Sequence, residues 1–211
     1  SSDQTIRNKI SFDKSLDILK NLKNDLKISI TSDVHETSQV DKLAELLDVI
    51  QIPAFLCRQT DLIKSAAQTK KIVNVKKGQF LSHKEVSNII KKIENENNKK
   101  ILITERGNSF GYNYLINDFK GIHFMKEFGY PIIFDSTHSV QLPGGLGKKS
   151  GGAREYVVPL SKAASSLRIA GFFIETHPNP EKALSDGPNM IYLHKMPKLL
   201  NTINKINKAA K

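Results

Sequence analysis

Six short apolar segments, separated by helix-like patterns, constrain the fold of this chain more than any other feature. They are rich in Ile, Val and Phe and have the length of strands: ISITSDVH (28–35), VIQIPAF (49–55), KIVNVKK (71–77), KILITER (100–106), PIIFDST (131–137) and GFFIET (171–176). Between them, apolar residues recur at helical spacing, as at Phe12, Leu16 and Leu19; at Val40, Leu43 and Leu47; and at Val86, Ile89, Ile90 and Ile93. Strands this apolar are buried on both faces, so the alternation predicts an α/β fold with a parallel sheet covered by helices.

The residues at the ends of these segments distinguish an open sheet from a closed barrel. Every segment ends in or just before polar side chains: Asp33 and His35, Gln51, Lys76 and Gln79, Glu105 and Arg106, Asp135 and His138, Glu175 and His177. An open sheet gathers its ligands at one switch point, whereas all strands of a barrel end at one mouth. Six contributing strands favour a (β/α)8 TIM barrel. Such barrels have eight βα units, so we expect residues 1–211 to form a single, N-terminally truncated barrel domain with about six units and the first two strands absent.

Composition narrows the classes of partner. The formal net charge is +11, but the lysines are spread among Asn residues and no basic run is interleaved with aromatics, so we expect no nucleic-acid partner. No stretch approaches the roughly 20 apolar residues of a membrane span, and SSDQTIRNKI lacks a signal segment. The single cysteine, Cys57, excludes an internal disulfide and suits a reducing compartment. These features predict a cytoplasmic protein without a membrane partner.

Three residues from the last two strand ends and the loop that follows suggest a metal site. His138, Glu175 and Asp186 supply an imidazole and two carboxylates, which suit a divalent cation such as Zn, Fe or Mn. Spacing alone leaves open a hydrogen-bonded histidine beside two helix-capping acids. A fourth ligand has to come from elsewhere in the chain.

Lys76 and Arg106 lie at the ends of adjacent predicted strands, with the amide of Gln79 nearby in sequence. Arg grips phosphate or carboxylate with two parallel hydrogen bonds and Lys adds a point charge. Each residue alone is more often at the surface, but together at one barrel mouth they favour an anion pocket.

Asp33 and His35 stand two apart in SDVHE and therefore point the same way, which suits sugar hydroxyls or proton transfer. The alternative is a strand-end pair that leads into the next helix, with an N-cap at Thr37 or Ser38.

The segment PGGLGKKSGG (143–152) has the composition of a mobile lid, and it matches neither dinucleotide-binding nor Walker spacing. Lys148, Lys149 and Arg154 either meet an anionic substrate from this lid or are solvated.

Together these motifs resemble a known family, 3-deoxy-D-manno-octulosonate 8-phosphate synthase, also called 2-dehydro-3-deoxyphosphooctonate aldolase. The matching segments run in order over nearly the whole chain: SDVHE, QIPAFLCRQTDL, VNVKKGQF, TERGNSFGYNYLINDF, FDSTHSVQLPGG and GFFIETHPNPEKALSDGP. The resemblance implies a (β/α)8 barrel, usually tetrameric, that makes the eight-carbon sugar of lipopolysaccharide. The reaction condenses phosphoenolpyruvate with D-arabinose 5-phosphate and water, and releases phosphate.

The resemblance also assigns roles to residues. Around phosphoenolpyruvate it places Gln51, Ala54, Lys76, Gln79, Arg106 and His138, and around the sugar Asp33, His35 and Arg58. Ser1 and Ser2 resemble the serines that follow the family's Lys-Ala-Asn-Arg segment, which this chain lacks. The residues expected in catalysis are His138, Lys76, Arg106, Asp33, His35 and Asp135, and the proton shuttle lies among His35, Asp135 and Glu105.

His138, Glu175 and Asp186 match three of the four ligands in the metal-dependent branch of the family, and QLPGG after His138 resembles that branch. The fourth ligand there is a cysteine of the first strand, which this chain lacks, and Cys57 follows a different strand. Two alternatives remain: the sister 3-deoxy-D-arabino-heptulosonate 7-phosphate synthase, which SDVHE and PAFLCRQTDL resemble less, and a catalytically incompetent remnant or scaffold.

Overall fold

The computed structural model describes residues 11–143 and 151–210, in which strands and helices alternate. The helices are α1 (Phe12–Leu26), α2 (Thr37–Leu46), α3 (Thr60–Gln68), α4 (Val86–Glu94), α5 (Phe119–Lys126), α6 (Val157–Ser166) and α7 (Met196–Ala209). The strands are β1 (Thr31–Asp33), β2 (Val49–Ile52), β3 (Ile72–Lys76), β4 (Ile101–Glu105), β5 (Asn108–Ser109), β6 (Leu115–Ile116), β7 (Ile132–Asp135), β8 (Gln141–Leu142), β9 (Gly151–Gly152), β10 (Gly171–Phe173), β11 (Thr176–His177) and β12 (Ile191–Tyr192).

All six predicted strand segments contain a strand, and the helical spacings coincide with α1, α2 and α4. The strands are shorter than the apolar segments because their ends bond to other groups. Before β1, for example, the Ile30 amide donates to the Asp48 carboxylate at 2.9 Å instead of to a neighbouring strand. The prediction of strands alternating with helices is therefore confirmed, with strand boundaries that the apolar pattern overestimated.

The described chain divides into two compact units, one of residues 11–78 and 84–103 and the other of residues 79–83, 104–143 and 151–210. In the first unit β1, β2 and β3 are parallel neighbours, and β4 follows β3 in the sheet order. The register aligns Asp33 of β1 with Gln51 of β2, and Gln51 with Asn74 of β3. Four successive residues of β3 are buried, as expected for a parallel strand covered on both faces.

In the second unit the sheet order is β4, β7 and β10, with β7 and β10 parallel. Phe134 of β7 is fully buried. Its ring lies between those of Phe119 and Phe172, with centroids 6.1 and 6.3 Å away. A further apolar cluster lies where the segment after β7 meets α6 and α7: Val140, Val157, Ile191, Leu199 and Ile203. This packing supports the carboxyl ends of β7 and β10, where polar residues collect.

The described residues thus confirm a parallel α/β fold. The count of eight βα units, the truncation and the single domain over residues 1–211 stay predictions. Ser1 and Ser2, and the lid residues Lys148 and Lys149, lie outside the described residues. In the part of the chain that the structure covers, no helix combines the length and the apolar character needed to cross a membrane.

The structure contradicts the alternative of a helix N-cap at Thr37 or Ser38. Helix α2 already includes both residues, and its N-cap is Glu36, whose side chain makes no capping bond. The side chain of Gln39, in the first turn, instead accepts a hydrogen bond from the His35 amide at 3.0 Å. A residue in the third helical position often reaches back in this way, which stabilises the start of a helix without a hydroxyl cap.

Candidate active site

The site begins at the carboxyl end of β7, where Asp135 holds His138. The Asp135 side chain is fully buried. One of its oxygens accepts the His138 backbone amide at 2.9 Å and the other lies 2.8 Å from His138 Nδ1. A carboxylate only accepts hydrogen bonds, so His138 Nδ1 must carry a proton and donate it to Asp135. In the neutral imidazole, Nε2 then keeps its lone pair. A single turn of 3-10 helix, His138–Val140, makes this contact possible.

The sequence-predicted metal ligands come together in the second unit. One ligand atom each from His138, Glu175 and Asp186 lies within 4.8 Å of the other two, and among the described residues this is the group suited to a metal ion. The Glu175 amide donates to the Thr137 hydroxyl at 3.2 Å. Asp186 has a left-handed backbone with φ of 54°, and its carbonyl accepts the Asn189 amide at 2.9 Å. A bond to the neighbouring strand end and a tight turn therefore place the two carboxylates.

These donors fit a divalent cation. His138 Nε2 lies 3.6 Å from Glu175 Oε1, and in the neutral imidazole with its proton on Nδ1 both atoms are acceptors, so a cation between them would suit both. A histidine ligand whose other nitrogen donates to a buried carboxylate is a common arrangement around protein metals. Neither Glu175 nor Asp186 caps a described helix, so the structure does not support the alternative of two capping acids. The described residues provide three ligands, and Cys57, which lies in the first unit, does not belong to this group.

Arg106, one residue beyond β4, provides the positive charge of this unit's site. It is 4% exposed. Its Nη2 donates to Gln141 Oε1 at 2.8 Å, and its buried Nη1 has no hydrogen-bond partner among the described residues. Burial lowers the pKa of the guanidinium, and the charges of Asp135, Glu105 and Asp186 oppose that shift. An ionised guanidinium with an unused buried donor is suited to bind an anion.

Two further predicted residues lie in the same unit. Gln79 is buried, and its side-chain Oε1 has no hydrogen-bond partner among the described residues, as expected for a group that awaits a donor. Glu105 is 1% exposed, and its carboxylate accepts the Gly107 amide at 2.6 Å. This contact shapes the turn after β4 and gives Glu105 a structural task.

In the first unit, Asp33, which is predicted to bind the sugar, belongs to a row of hydrogen-bonded side chains across three strands. Gln51 donates to Asp33 Oδ1 at 2.6 Å and accepts from Asn74 at 2.9 Å. The row orients the Asp33 carboxylate, because Gln51 and Asn74 are themselves buried. Strand β1 ends at Asp33, so the alternation used to align His35 with Asp33 does not extend to His35.

The remaining predicted residues of this unit differ in exposure. Lys76 is the last residue of β3 and is buried, as is Ala54 in a 3-10 turn after β2. Arg58 is exposed. Cys57 is fully buried, and burial raises the pKa of its thiol.

Arg154, for which the sequence left substrate binding and solvation open, is held by other groups of the protein in the structure. Its guanidinium donates to Glu181 at 3.0 Å and to the Gly187 carbonyl at 2.6 Å, and lies over the Tyr192 ring. The Tyr192 hydroxyl also donates to Glu181. These hydrogen bonds lower the pKa of Glu181 to about 2, and the bond from Tyr192 has the largest effect. Arg154 thus fastens the loop that carries Asp186.

Gln141, which was not among the predicted site residues, joins two that were. Besides accepting from Arg106, it donates through Nε2 to Asp186 Oδ1 at 2.8 Å. Gln141 therefore links Arg106 to Asp186, which groups with His138 and Glu175. Gln141 is the first residue of the QLPGG motif after His138, so its position in that motif was a possible signal. A single amide in a strand, however, forms no spacing pattern that would indicate its role.

Comparison with known proteins identifies the group to which the chain is related. Residues 10–211 match the model of the DAHP synthetase I family. A 2-dehydro-3-deoxyphosphooctonate aldolase of Pelobacter propionicus is 52% identical over 198 residues, covering 94% of this chain and 73% of the relative. The proteins of the same name from Chelativorans sp. and Rhodopseudomonas palustris are 51% and 50% identical, covering 94% and 96% of this chain and 72% and 71% of their own lengths. The resemblance drawn from the motifs is thereby confirmed, and the chain belongs to the DAHP synthetase I family.

Proposed function

We propose that this protein condenses phosphoenolpyruvate with D-arabinose 5-phosphate and water to give 3-deoxy-D-manno-octulosonate 8-phosphate and phosphate, for lipopolysaccharide biosynthesis. The observation that carries the proposal is the buried Arg106, with an unused donor, linked through Gln141 to the cluster of His138, Glu175 and Asp186. Relatives about half identical to the chain bear the name 2-dehydro-3-deoxyphosphooctonate aldolase.

In the proposed reaction, C3 of phosphoenolpyruvate attacks the aldehyde carbon of the sugar, and water adds at C2. The hemiketal phosphate that results loses phosphate by cleavage of its C–O bond, so one water is consumed and one phosphate is released. Negative charge develops on the aldehyde oxygen and positive charge at C2. Preorganised charges near these atoms are usually the largest catalytic contribution.

Arg106 is proposed to bind phosphoenolpyruvate through its anionic groups. Because its guanidinium is buried and already held by Gln141, it loses little freedom when the anion binds. The resemblance assigns Lys76, Gln51, Ala54 and Gln79 to the same substrate. Burial of Lys76 supports its role, because a buried ammonium needs an anionic partner.

His138 is proposed to present Nε2 as a ligand to a divalent metal, and Asp135 to act as the positioning residue that keeps the proton on Nδ1. With its side chain fully buried and bonded to His138, Asp135 acts through the histidine and is less suited to shuttle a proton to substrate. A divalent metal held by His138, Glu175 and Asp186 would supply Lewis-acid polarisation at this position. Zn, Fe and Mn all suit this donor set.

The sugar is proposed to contact Asp33, His35 and Arg58. The bond from Gln51 to Asp33 supports the first assignment, because it holds the carboxylate in place for sugar hydroxyls. The exposure of Arg58 leaves it accessible to the phosphate of the sugar. Proton transfer would then fall to His35.

The wider architecture also belongs to this proposal. We infer a (β/α)8 barrel from the parallel α/β order of the described strands and the family resemblance. A cytoplasmic homo-oligomer, tetrameric in the family, is proposed in addition. The exposed aromatic residues of the β5–β6 turn, Phe110, Tyr112 and Tyr114, support an association surface because a monomer rarely exposes such a group.

Phosphate release by the purified protein tests the function. We expect release with phosphoenolpyruvate and D-arabinose 5-phosphate, little with erythrose 4-phosphate, loss after chelation, and recovery with Mn or Zn. A preference for erythrose 4-phosphate would instead identify the sister heptulosonate enzyme. Substrate binding without release from either sugar would favour the scaffold alternative.

Two substitutions make this test specific to the site. Arg106→Lys keeps the charge but loses the planar guanidinium, so we expect a raised KM for phosphoenolpyruvate. Arg168→Lys is the matched control, since Arg168 is exposed. Equal kinetics for the two variants would contradict the role of Arg106.

A further inference from the structure

Gln141 is the residue from which a further role follows, because its amide connects two charged groups with different proposed tasks. Its Oε1 accepts from Arg106 Nη2 at 2.8 Å and its Nε2 donates to Asp186 Oδ1 at 2.8 Å. The residue opens strand β8 and is partly buried. The two bonds place opposite ends of one rigid, planar group against a cation and an anion.

The orientation of this amide is determined by its neighbours. A guanidinium only donates hydrogen bonds and a carboxylate only accepts them, so the oxygen must face Arg106 and the nitrogen must face Asp186. Arg106 could not bond a donor in this place, nor could Asp186 bond an acceptor. An amide of this length is therefore the side chain that suits both partners at once.

We propose that Gln141 is a positioning residue that couples anion binding at Arg106 to the placement of the Asp186 carboxylate. This inference rests on the proposed function, in which Arg106 binds phosphoenolpyruvate and Asp186 belongs to the metal-binding group. When the anion binds at Nη1 of Arg106, Nη2 stays directed at the amide, and the amide in turn holds Asp186 in the position that completes the group with His138 and Glu175.

Thermodynamic linkage turns this geometry into a measurable quantity. If the anion stabilises the placement of Asp186, phosphoenolpyruvate must tighten the binding of a divalent cation, and the cation must tighten the binding of phosphoenolpyruvate by the same factor. Direct attraction between cation and anion contributes to that factor in any variant. The contribution of Gln141 is the part of the coupling factor that is lost when its amide is removed.

The experiment measures the dissociation constant of Mn²⁺ by titration calorimetry, with and without phosphoenolpyruvate, in the full chain. Gln141→Met preserves length and removes both hydrogen bonds, and Gln141→Asn keeps an amide too short to reach both partners. Gln68→Met is the matched control, because Gln68 is an exposed amide of the first unit. The melting temperature of each variant identifies any that does not fold.

We expect the coupling factor to fall about five-fold or more in both Gln141 variants, and to stay at the wild-type value in Gln68→Met. We also expect Mn²⁺ affinity without phosphoenolpyruvate to fall by about 10-fold, as for the loss of other groups that orient metal ligands. A purely structural role would lower the melting temperature and leave the coupling factor unchanged.

The outcomes separate this inference from the proposed function. Wild-type protein that binds both ligands, with a coupling factor unchanged in folded Gln141→Met or Gln141→Asn, would overturn the role of Gln141 alone. Wild-type protein that binds Mn²⁺ but not phosphoenolpyruvate would overturn the proposed function, and with it the inference.

Discussion

Replacing Asp135 by Asn tests how His138 is held, with almost no change in shape. The carboxylate accepts the His138 backbone amide at 2.9 Å with one oxygen and contacts His138 Nδ1 at 2.8 Å with the other. Asparagine offers one acceptor in place of two. If its oxygen keeps the backbone amide, its NH₂ group faces Nδ1, and the imidazole proton must move to Nε2.

The structure determines how much folding stability and metal affinity Asp135→Asn should lose. Exchange of a charge-assisted hydrogen bond for a neutral one in a fully buried place costs about 1 kcal/mol of folding stability. A proton on Nε2 would bond Glu175 Oε1, now 3.6 Å away, and occupy the lone pair needed for a metal. Loss of such an orienting carboxylate typically lowers metal affinity about 10- to 100-fold, and we expect phosphate release to fall at least about as much.

The assay combines Mn²⁺ titration, phosphate release and nitrogen NMR of the imidazole. The NMR shifts should report a proton on Nε2 in Asp135→Asn and on Nδ1 in the wild type. Asp118→Asn is the matched control, because Asp118 also faces a histidine, with 3.4 Å between its Oδ2 and His83 Nδ1. Unchanged tautomer, metal affinity and phosphate release in folded Asp135→Asn would refute the positioning role.

Three further predictions concern charge and burial. Arg106→Lys should raise the KM for phosphoenolpyruvate by about 10-fold or more, measured by steady-state kinetics, since a charged hydrogen bond contributes about 1.5–3 kcal/mol; an unchanged KM would exclude Arg106 from that site. The pKa of Glu181 is about 2 in the folded protein against its ordinary value of 4.5, so its contribution to folding stability is present above pH 4.5 and lost as the pH falls to about 2. Melting temperatures over that range should therefore decline less in Glu181→Gln than in the wild type, and parallel curves would contradict the assignment. Cys57 should react slowly with Ellman's reagent at pH 8 and rapidly in urea, because it is buried and burial raises its pKa; equal rates would show that the native thiol is accessible.

Much of the site was predictable because parallel strands bring their carboxyl ends to one edge of a sheet. His138, Glu175 and Asp186 are separated by 37 and 11 positions in the sequence, yet the structure places their ligand atoms within 4.8 Å. Their residue types indicated metal chemistry, and the order of β7 and β10 made the meeting of His138 and Glu175 predictable.

Other contacts could not be assigned from the sequence. Arg154 follows the glycine-rich segment, which left substrate binding and solvation open, and its guanidinium binds Glu181 and the Gly187 carbonyl. Those partners, 27 and 33 positions away, come within reach only in the folded chain. The alternative N-cap at Thr37 or Ser38 is contradicted for a local reason, because helix α2 begins at Thr37 and Gln39 in its first turn accepts the His35 amide.

The sequence by itself determined the alternation of strands and helices, the family and the chemical types at the strand ends, because burial pattern and residue chemistry are local properties. Tertiary structure alone decided which of those groups touch: that Asp135 selects the tautomer of His138, and that Gln141 joins Arg106 to Asp186. Hydrogen bonds depend on the distance and direction between two atoms, and for residues 35 and 45 positions apart only the folded backbone sets both.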